Sequence, residues 1–147
     1  MTNLTKPSRD KYALSFSEIS EALRQFEFPP TELVIGIGSG GIVPATLVAH
    51  QLGCPLQIIH VNYRHEDNSP AYEAPRLTHS WEETAENWPE QEKILLVDDV
   101  SVSGKTIDFV KAKTGLTNAK IFVLKGKADF VLFPEIKQCV HWPWKKS

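Results

Sequence analysis

The sequence predicts an α/β protein in which helices cover both faces of a mostly parallel central sheet. Segments with strand character alternate along the chain with segments of helical character, the order expected of parallel strands joined by helices. The strand-like segments are largely apolar, as in strands that are buried on both faces. Neither a linker nor an internal repeat divides the sequence, so residues 1–147 are expected to form one domain.

The first half of the chain predicts two helices and two strands. Ser15 or Ser17 can cap the free N–H groups of the first helix, and Pro29 and Pro30 end it. The strand that follows, residues 32–37, is short, rich in β-forming residues and bounded by turn formers. The remaining elements of this half are a helix at about residues 44–52, with Gly53 just past its end, and a strand at residues 56–63.

The second half begins with a long stretch that has no periodicity. Residues 64–91 mix proline, asparagine and glutamate with isolated aromatic residues. A connection of this length in a small domain is usually a functional lid or a mobile segment. The regular elements predicted after it are strands at residues 93–97 and 121–124, a helix at 103–113 that Gly115 stops, and a more weakly patterned strand at 130–133.

Composition and charge exclude several classes of protein. An apolar content of 41% and a charged content of 23% are those of an ordinary globular domain, and a net charge of -2 gives no general attraction to nucleic acid. No apolar run reaches the roughly 18 residues of a membrane span, and the polar N-terminus lacks a signal peptide. Cys54 and Cys139 have no metal-binding or redox spacing. A cytoplasmic protein without membrane or nucleic-acid partners is therefore expected.

The strongest chemical signal lies in residues 94–106. Four apolar residues predict a buried strand, and Asp98 and Asp99 follow at its carboxyl end. In open α/β sheets this is the edge at which ligands bind. Two adjacent carboxylates repel each other unless they meet hydroxyl groups or a cation, so a ribose diol together with Mg²⁺ is a natural partner.

The residues after the two acids predict a phosphate-binding turn. They are small and hydroxylic and lead directly into a helix, whose first N–H groups can bind an anion. Gly104 allows the backbone to approach a phosphate closely. The alternative is a plain strand–turn–helix connection with Asp99 and Ser103 as turn and cap residues. The order of the whole string favours the phosphate site, formed by Ser101, Val102, Ser103, Gly104, Lys105 and Thr106.

Two segments resemble other phosphate-binding motifs. Residues 104–106 resemble the end of a P-loop, but Asp99 stands where that motif needs a glycine. Residues 36–41 match the glycine pattern of a dinucleotide-binding turn. That motif also needs an acid at the end of the second strand, where residues 62–64 read Asn-Tyr-Arg. The dinucleotide interpretation is therefore the weaker alternative.

At this point the sequence resembles the type I phosphoribosyltransferase family. Residues 94–106 are similar to the motif with which that family binds phosphoribosyl pyrophosphate (PRPP). Within the family the chain is most similar to the bacterial xanthine-guanine enzymes. The further matching segments are residues 11–16 (opening strand and helix), 38–44 (pyrophosphate loop), 63–68 (start of the flexible catalytic loop), Lys125 and the closing Pro143-Trp144.

The resemblance implies transfer of a phosphoribosyl group from PRPP to a nitrogenous base of purine type, with release of pyrophosphate. It implies a small hood made from the two termini, and a homo-oligomer. Asp98 and Asp99 would be the catalytic residues and would hold the ribose hydroxyls and Mg²⁺, while the turn that follows would hold the 5′-phosphate. Pyrophosphate would bind at Gly38, Ser39, Gly40 and Gly41, and the base at Lys125 and Val140.

Several positions depart from the family pattern. Val102 stands where the 6-oxopurine enzymes carry a proton-handling aspartate, Ser39 where the pyrophosphate loop usually carries a cation, and Cys139 where an aromatic residue usually stacks on the base. Turnover therefore stays open, and the alternative is a non-catalytic regulatory protein that binds PRPP or a nucleotide. Arg64 and Arg76, in the irregular stretch, are candidates for a pyrophosphate clamp.

Overall fold

A computed structural model describes residues 11–62, 76–77 and 82–145 of the chain. These residues form eight strands and four α-helices, with one short 3₁₀ turn at Gln91–Lys93. In chain order the elements are β1 (Lys11–Ala13), α1 (Phe16–Gln25), β2 (Leu33–Gly38), α2 (Ile42–Leu52), β3 (Leu56–Asn62), β4 (Arg76–Leu77), α3 (Glu82–Ala85), β5 (Ile94–Ser101), α4 (Lys105–Thr114), β6 (Lys120–Gly126), β7 (Phe130–Val131) and β8 (Cys139–His141).

The central sheet has six strands in the order β4-β3-β2-β5-β6-β7. Strands β3, β2, β5, β6 and β7 run parallel, and β4 pairs with β3 in the antiparallel direction. The predicted fold class is confirmed. Because the parallel strands end on the same side, the carboxyl ends of β2, β5 and β6 form one continuous edge.

Alternate residues of the strands build a separate core on each face of the sheet. Helices α1 and α2 cover the first face, and α4 covers the second. The strand residues of the first core include Val34, Leu95, Val97, Phe122 and Leu124. Those of the second core include Ile35, Ile37, Leu96, Ile121 and Val123. Successive side chains of a β-strand point to opposite faces of the sheet, which is why the two cores take alternate residues.

The predicted helices are present, with small differences in their bounds. Ser15 caps α1, because its hydroxyl accepts from the Glu18 N–H while the Glu18 carboxylate accepts from the Ser15 N–H. Helix α1 already ends at Gln25, where Phe26 becomes extended, before the two prolines. Helix α2 begins at Ile42, two residues earlier than expected. Gly53 and Gly115 end α2 and α4 in the left-handed conformation, as predicted.

The two ends of the described chain pair with each other. Strand β1 runs parallel to β8, with Tyr12 opposite Val140. The Leu14 N–H donates to the His141 carbonyl at 3.5 Å. Trp142 is buried in the first core. Residues 11–14 and 139–145 together are called the hood below.

The stretch predicted to be irregular contains two short regular elements. Strand β4 and helix α3 both lie within residues 64–91, so the prediction was wrong for them. Their side-chain patterns are too short to show a period. Residues 63–68, and with them Arg64, lie outside the described part of the chain, and only the backbone of Arg76 is described. No helix of the described residues is long and apolar enough to cross a membrane.

Candidate functional site

A cavity of about 90 Å³ lies where β5 turns into α4. Every residue of the predicted phosphate-binding turn contributes to its wall. The lining residues are Asp98, Val100, Ser101, Val102, Ser103, Gly104, Lys105, Thr106 and Ile107. Residues that are consecutive in the sequence therefore line one cavity in the structure.

The start of α4 gives this cavity the properties of an anion site. Gly104 is the N-cap residue, and its φ of 81° lies in the left-handed region, where glycine is favoured. The Ser103 hydroxyl accepts from the Lys105 N–H at 3.3 Å. The N–H groups of Thr106 and Ile107 belong to the first helical turn and have no acceptor within the helix. Such groups, together with the helix dipole, favour negative charge.

Ser101 supplies a polar group that lacks a partner within the described part of the chain. The residue is only 5% exposed, and its hydroxyl makes no hydrogen bond to any described residue. A buried, unsatisfied hydroxyl costs about 1–3 kcal/mol. Ser101 belongs to the cavity wall, and a rotation of its side chain would be needed to bring the buried hydroxyl to a polar ligand there.

Asp98 and Asp99 have different further neighbours, although their two carboxyl groups interact with each other. Asp98 lines the cavity beside α4, whereas the Asp99 carboxylate lies against Gly40 of the glycine loop. Each carboxylate accepts one backbone hydrogen bond, Asp98 from the Asp99 N–H at 2.8 Å and Asp99 from the Val100 N–H at 2.7 Å.

The electrostatics of the two acids favour a cation. Asp98 is 8% exposed, and burial followed by the neighbouring charge of Asp99 raises the pKa of its carboxyl to about 8. Mg²⁺ is usually held in proteins by one or two carboxylates, with substrate phosphates and water as the other ligands. The two acids beside a phosphate-type cavity fit this arrangement. No group of three or more His, Cys, Asp or Glu side chains in the described part could hold a metal by itself.

The glycine loop between β2 and α2 packs directly on the carboxyl end of β5. A Cβ atom on Gly41 would lie 2.5 Å from the Val97 carbonyl oxygen, and one on Gly40 would lie 2.8 Å from Asp99 Oδ1. The backbone leaves room only for glycine at position 41, whereas a side chain at position 40 would displace the Asp99 carboxylate. The Gly38–Ser39 peptide bond in this loop is cis, and the Ser39 side chain is exposed. The loop and the two acids therefore form one surface.

Strand β6 forms the other side of the site. Lys125 lies opposite Val100 in the sheet and is half-buried. The next residue, Gly126, pairs with Ser101 and has a φ of 115°. A Cβ atom on Gly126 would lie 2.0 Å from the Ser101 carbonyl oxygen. That carbonyl also accepts from the Lys127 N–H at 2.8 Å. This close approach was not recognised from the sequence, because a lone glycine in a strand does not reveal what it approaches.

The hood contributes a residue that sequence reasoning missed. Lys145 Nζ lies 3.7 Å from Asp99 Oδ2. The lysine follows the matching Pro143-Trp144, but only the pairing of β8 with β1 brings it over the acids. Val140 is half-buried and packs against the same core as Val100. Val102 is 77% exposed, and Cys139 and Ser39 are exposed, so the three departures from the family pattern are all accessible.

Fold and geometry together define an α/β protein whose candidate site lies at the carboxyl edge of a parallel sheet, an edge that suits a phosphorylated ligand. The sequence profile of the phosphoribosyl transferase domain matches residues 16–125, and the chain belongs to this family. The match confirms the predicted resemblance and argues against the dinucleotide-binding alternative for residues 36–41. A comparison with curated protein sequences gives no match.

Solved structures of similar fold support the assignment. A purine phosphoribosyltransferase from Pyrococcus horikoshii superimposes with a TM-score of 0.69 at 24% identity, covering 94% of this chain and 96% of the other. The xanthine-guanine-hypoxanthine phosphoribosyltransferase of Helicobacter pylori gives 0.66 at 12% identity, with 91% and 93% covered. A hypothetical protein from Neisseria gonorrhoeae with bound ppGpp gives 0.64 at 21% identity, with 92% and 90% covered. At these identities the likeness shows the type I phosphoribosyltransferase fold.

Proposed function

We propose that this protein transfers the phosphoribosyl group of PRPP to a nitrogenous base of purine type, with release of pyrophosphate. The proposal is carried by one observation: the phosphate-type cavity at α4, the two acids and the glycine loop meet at a single edge of the sheet. Family membership supports the reaction class. The purine phosphoribosyltransferases of similar fold support the purine class of base.

Each part of PRPP has a matching group in this arrangement. The 5′-phosphate binds the N–H groups of the first turn of α4 and the unpartnered Ser101 hydroxyl. The ribose hydroxyls bind the carboxylates of Asp98 and Asp99, which also hold Mg²⁺. The backbone of the loop Gly38, Ser39, Gly40 and Gly41 binds pyrophosphate, except that the Gly41 N–H already donates to the Ile37 carbonyl at 2.8 Å. Lys125 and Val140 bind the base at the far side of the site.

In the reaction, the bond between ribose C1′ and the pyrophosphate oxygen breaks, and its electron pair leaves with pyrophosphate. A ring nitrogen of the base forms the new bond to C1′ and gives up its proton. Bound Mg²⁺ supplies positive charge that stabilises the leaving pyrophosphate. The chain itself contributes fixed N–H dipoles at α4 and the glycine loop, which need no reorganisation as charge develops. The Val102 side chain offers no proton acceptor, so the proton of the base leaves to another group or to water.

The test is release of pyrophosphate from PRPP and MgCl₂ in the presence of hypoxanthine, guanine, xanthine, adenine, orotate or uracil in turn. We expect release with at least one purine. Asp99→Asn should lower the rate by about a hundredfold, because it removes one of the two charges that hold the cation. The matched control is Asp129→Asn, at the opposite edge of the sheet, where an amide oxygen can still accept from the Ile121 N–H. Normal rates in Asp99→Asn, or loss in the control, would contradict the assignment.

A second candidate is a non-catalytic protein that binds PRPP or a regulatory nucleotide. Val102 favours it, because this exposed apolar side chain at the rim of the cavity has no use in proton transfer. The Neisseria gonorrhoeae protein of similar fold, which has ppGpp bound, supports a nucleotide as the ligand. Calorimetric binding of PRPP or ppGpp without pyrophosphate release from any base would select this candidate. Absence of all binding would overturn both.

A further inference from the structure

Lys145 brings a positive charge to the centre of the proposed site. Its ammonium lies 3.7 Å from Asp99 Oδ2. The Asp99 side chain is 13% exposed, whereas that of Lys145 is 53% exposed. The Asp99 carboxylate is thus held against the glycine loop, while the Lys145 ammonium, with its three donors, reaches it from the solvent side on a flexible side chain.

The lysine is held in this place by a rigid part of the hood. The Lys145 N–H donates to the Trp142 carbonyl at 3.1 Å, which closes a turn. The rings of Trp142 and Trp144 stack with centroids 5.3 Å apart and planes 4° apart. Phe16 of α1 contacts the outer tryptophan, with 6.0 Å between the ring centroids of Phe16 and Trp144. Packed aromatic rings lose little further freedom, so the backbone of the turn is fixed before a ligand arrives.

The same carboxylate joins Lys145 to the glycine loop. A Cβ atom on Gly40 would lie 2.8 and 2.9 Å from the two oxygens of Asp99. Residues 38–41 read Gly-Ser-Gly-Gly, so the loop has backbone N–H groups but no charge of its own. A pyrophosphate group bound there carries several negative charges next to Asp98 and Asp99. Within residues 11–62, 76–77 and 82–145, Lys145 is a cation that contacts Asp99, the carboxylate packed on this loop.

We infer that Lys145 is a binding residue for the pyrophosphate group of PRPP. This inference rests on the proposed function. In the free protein the ammonium neutralises Asp99. Once the ligand engages that carboxylate, the ammonium binds the phosphate oxygens at the glycine loop instead. The hood thus contributes charge to the site as well as covering it.

The test is calorimetric titration with PRPP and with ribose 5-phosphate, each in the presence of MgCl₂. Ribose 5-phosphate has the 5′-phosphate and the ribose but lacks pyrophosphate. Lys145→Ala should bind PRPP about tenfold more weakly, the loss expected of one hydrogen bond between charged groups, and ribose 5-phosphate almost unchanged. Lys145→Arg should keep most of the affinity for PRPP. Lys137→Ala, an exposed lysine of the preceding loop, should leave both affinities unchanged.

Each other outcome has a definite meaning. Equal affinity of Lys145→Ala and wild type for PRPP would overturn the role of Lys145 and leave the proposed function intact. Equal weakening for both ligands, or loss in the arginine variant as well, would show that the lysine acts through Asp99 or through packing, which also overturns the inference. Failure of the wild-type protein to bind PRPP would instead remove the proposed function on which the inference rests.

Discussion

The polar groups at the two edges of the central sheet differ in how completely they are hydrogen-bonded. At the amino edge several polar side chains are paired with each other or with the backbone. Lys93 forms an ion pair with Glu32 at 3.2 Å, and Asp129 accepts from the Ile121 N–H at 2.9 Å. Gln91 both donates to the Gly115 carbonyl and accepts from the Asn118 N–H. These contacts close the ends of the strands.

At the carboxyl edge the polar side chains lie close together, and some of them lack hydrogen-bond partners. Asp98 is buried beside a second carboxylate, and the Ser101 hydroxyl has no partner among the described residues. Most buried polar groups of native proteins are hydrogen-bonded, and exceptions call for an explanation. The amino edge therefore uses its polar groups for stability, whereas the carboxyl edge keeps hydrogen-bonding capacity, as the proposed ligand site requires. Three experiments test this difference, beginning with the largest expected effect.

Two glycines with positive φ, one at each edge, should differ strongly in their tolerance of a methyl group. Gly126→Ala brings Cβ to within 2.0 Å of the Ser101 carbonyl oxygen, whereas a Cβ on Gly115 meets nothing within 4 Å. We expect Gly126→Ala to lower the free energy of unfolding by about 4 kcal/mol. Gly115→Ala should cost only about 1 kcal/mol, the usual cost of a left-handed alanine. Urea unfolding measures the free energy of unfolding of both variants. Equal decreases in the two variants would show that β6 does not approach β5 closely at Gly126.

Asp98→Asn should stabilise the metal-free protein at high pH. The raised pKa of about 8 means that the folded state binds this proton more tightly than the unfolded state does. The stabilisation that the proton provides is present below the ordinary carboxyl pKa and is lost as the pH rises towards 8. Asparagine needs no proton and keeps the acceptor for the Asp99 N–H. The variant should therefore match wild type near pH 4 and exceed it by about 2 kcal/mol at pH 8.5.

The measurement for Asp98→Asn is thermal or urea unfolding in a chelating buffer at both pH values. The charged groups facing Asp98 are Asp99, which raises its pKa, and Lys145, which lowers it. Asp129→Asn at the amino edge is the control and should show no gain at either pH. A destabilised Asp98→Asn protein at pH 8.5 would mean that the buried carboxylate is well satisfied, contrary to the comparison.

The smallest effect is expected from the exposed ion pair at the amino edge. Glu32→Gln removes one charge, and because both side chains are largely solvated, the free energy of unfolding should fall by no more than about 0.5 kcal/mol. Binding of PRPP should not change, since the pair lies at the end of the sheet away from the cavity. The difference should vanish at 1 M NaCl, as expected for a solvated pair. A loss of ligand affinity would show that the two edges are coupled.

The fold was predictable because its elements are periodic and well bounded. The four apolar residues before Asp98, the Ser15 cap and Gly115 each fixed an element that the structure contains. The phosphate-binding turn was predictable for a different reason. Its residues are consecutive in the sequence, so they stay together in the structure and line one cavity. The precise bounds of β5 were not predictable, since the strand continues through Asp98 and Asp99 to Ser101.

The parts of the site that depend on distant segments could not be predicted from the sequence. Lys145 approaches Asp99 only because β8 pairs with β1, and strands of three residues carry too little pattern to predict their partner. The close approach of Gly126 to Ser101 likewise depends on the register of β6 against β5. Long-range pairing of this kind depends on packing and leaves no local signal.

The location of Asp98 and Asp99 within strand β5 constrains how the sequence can change. A single residue gained or lost in β5 before them would turn every later side chain to the other face, so both acids would lose their present contacts. The turn at residues 102–104 has no such parity, and its length can vary as long as α4 still starts beside the cavity. Insertions and deletions among relatives should therefore be absent from β5 and confined to the turn, where they would change the size of the phosphate group that the cavity accepts.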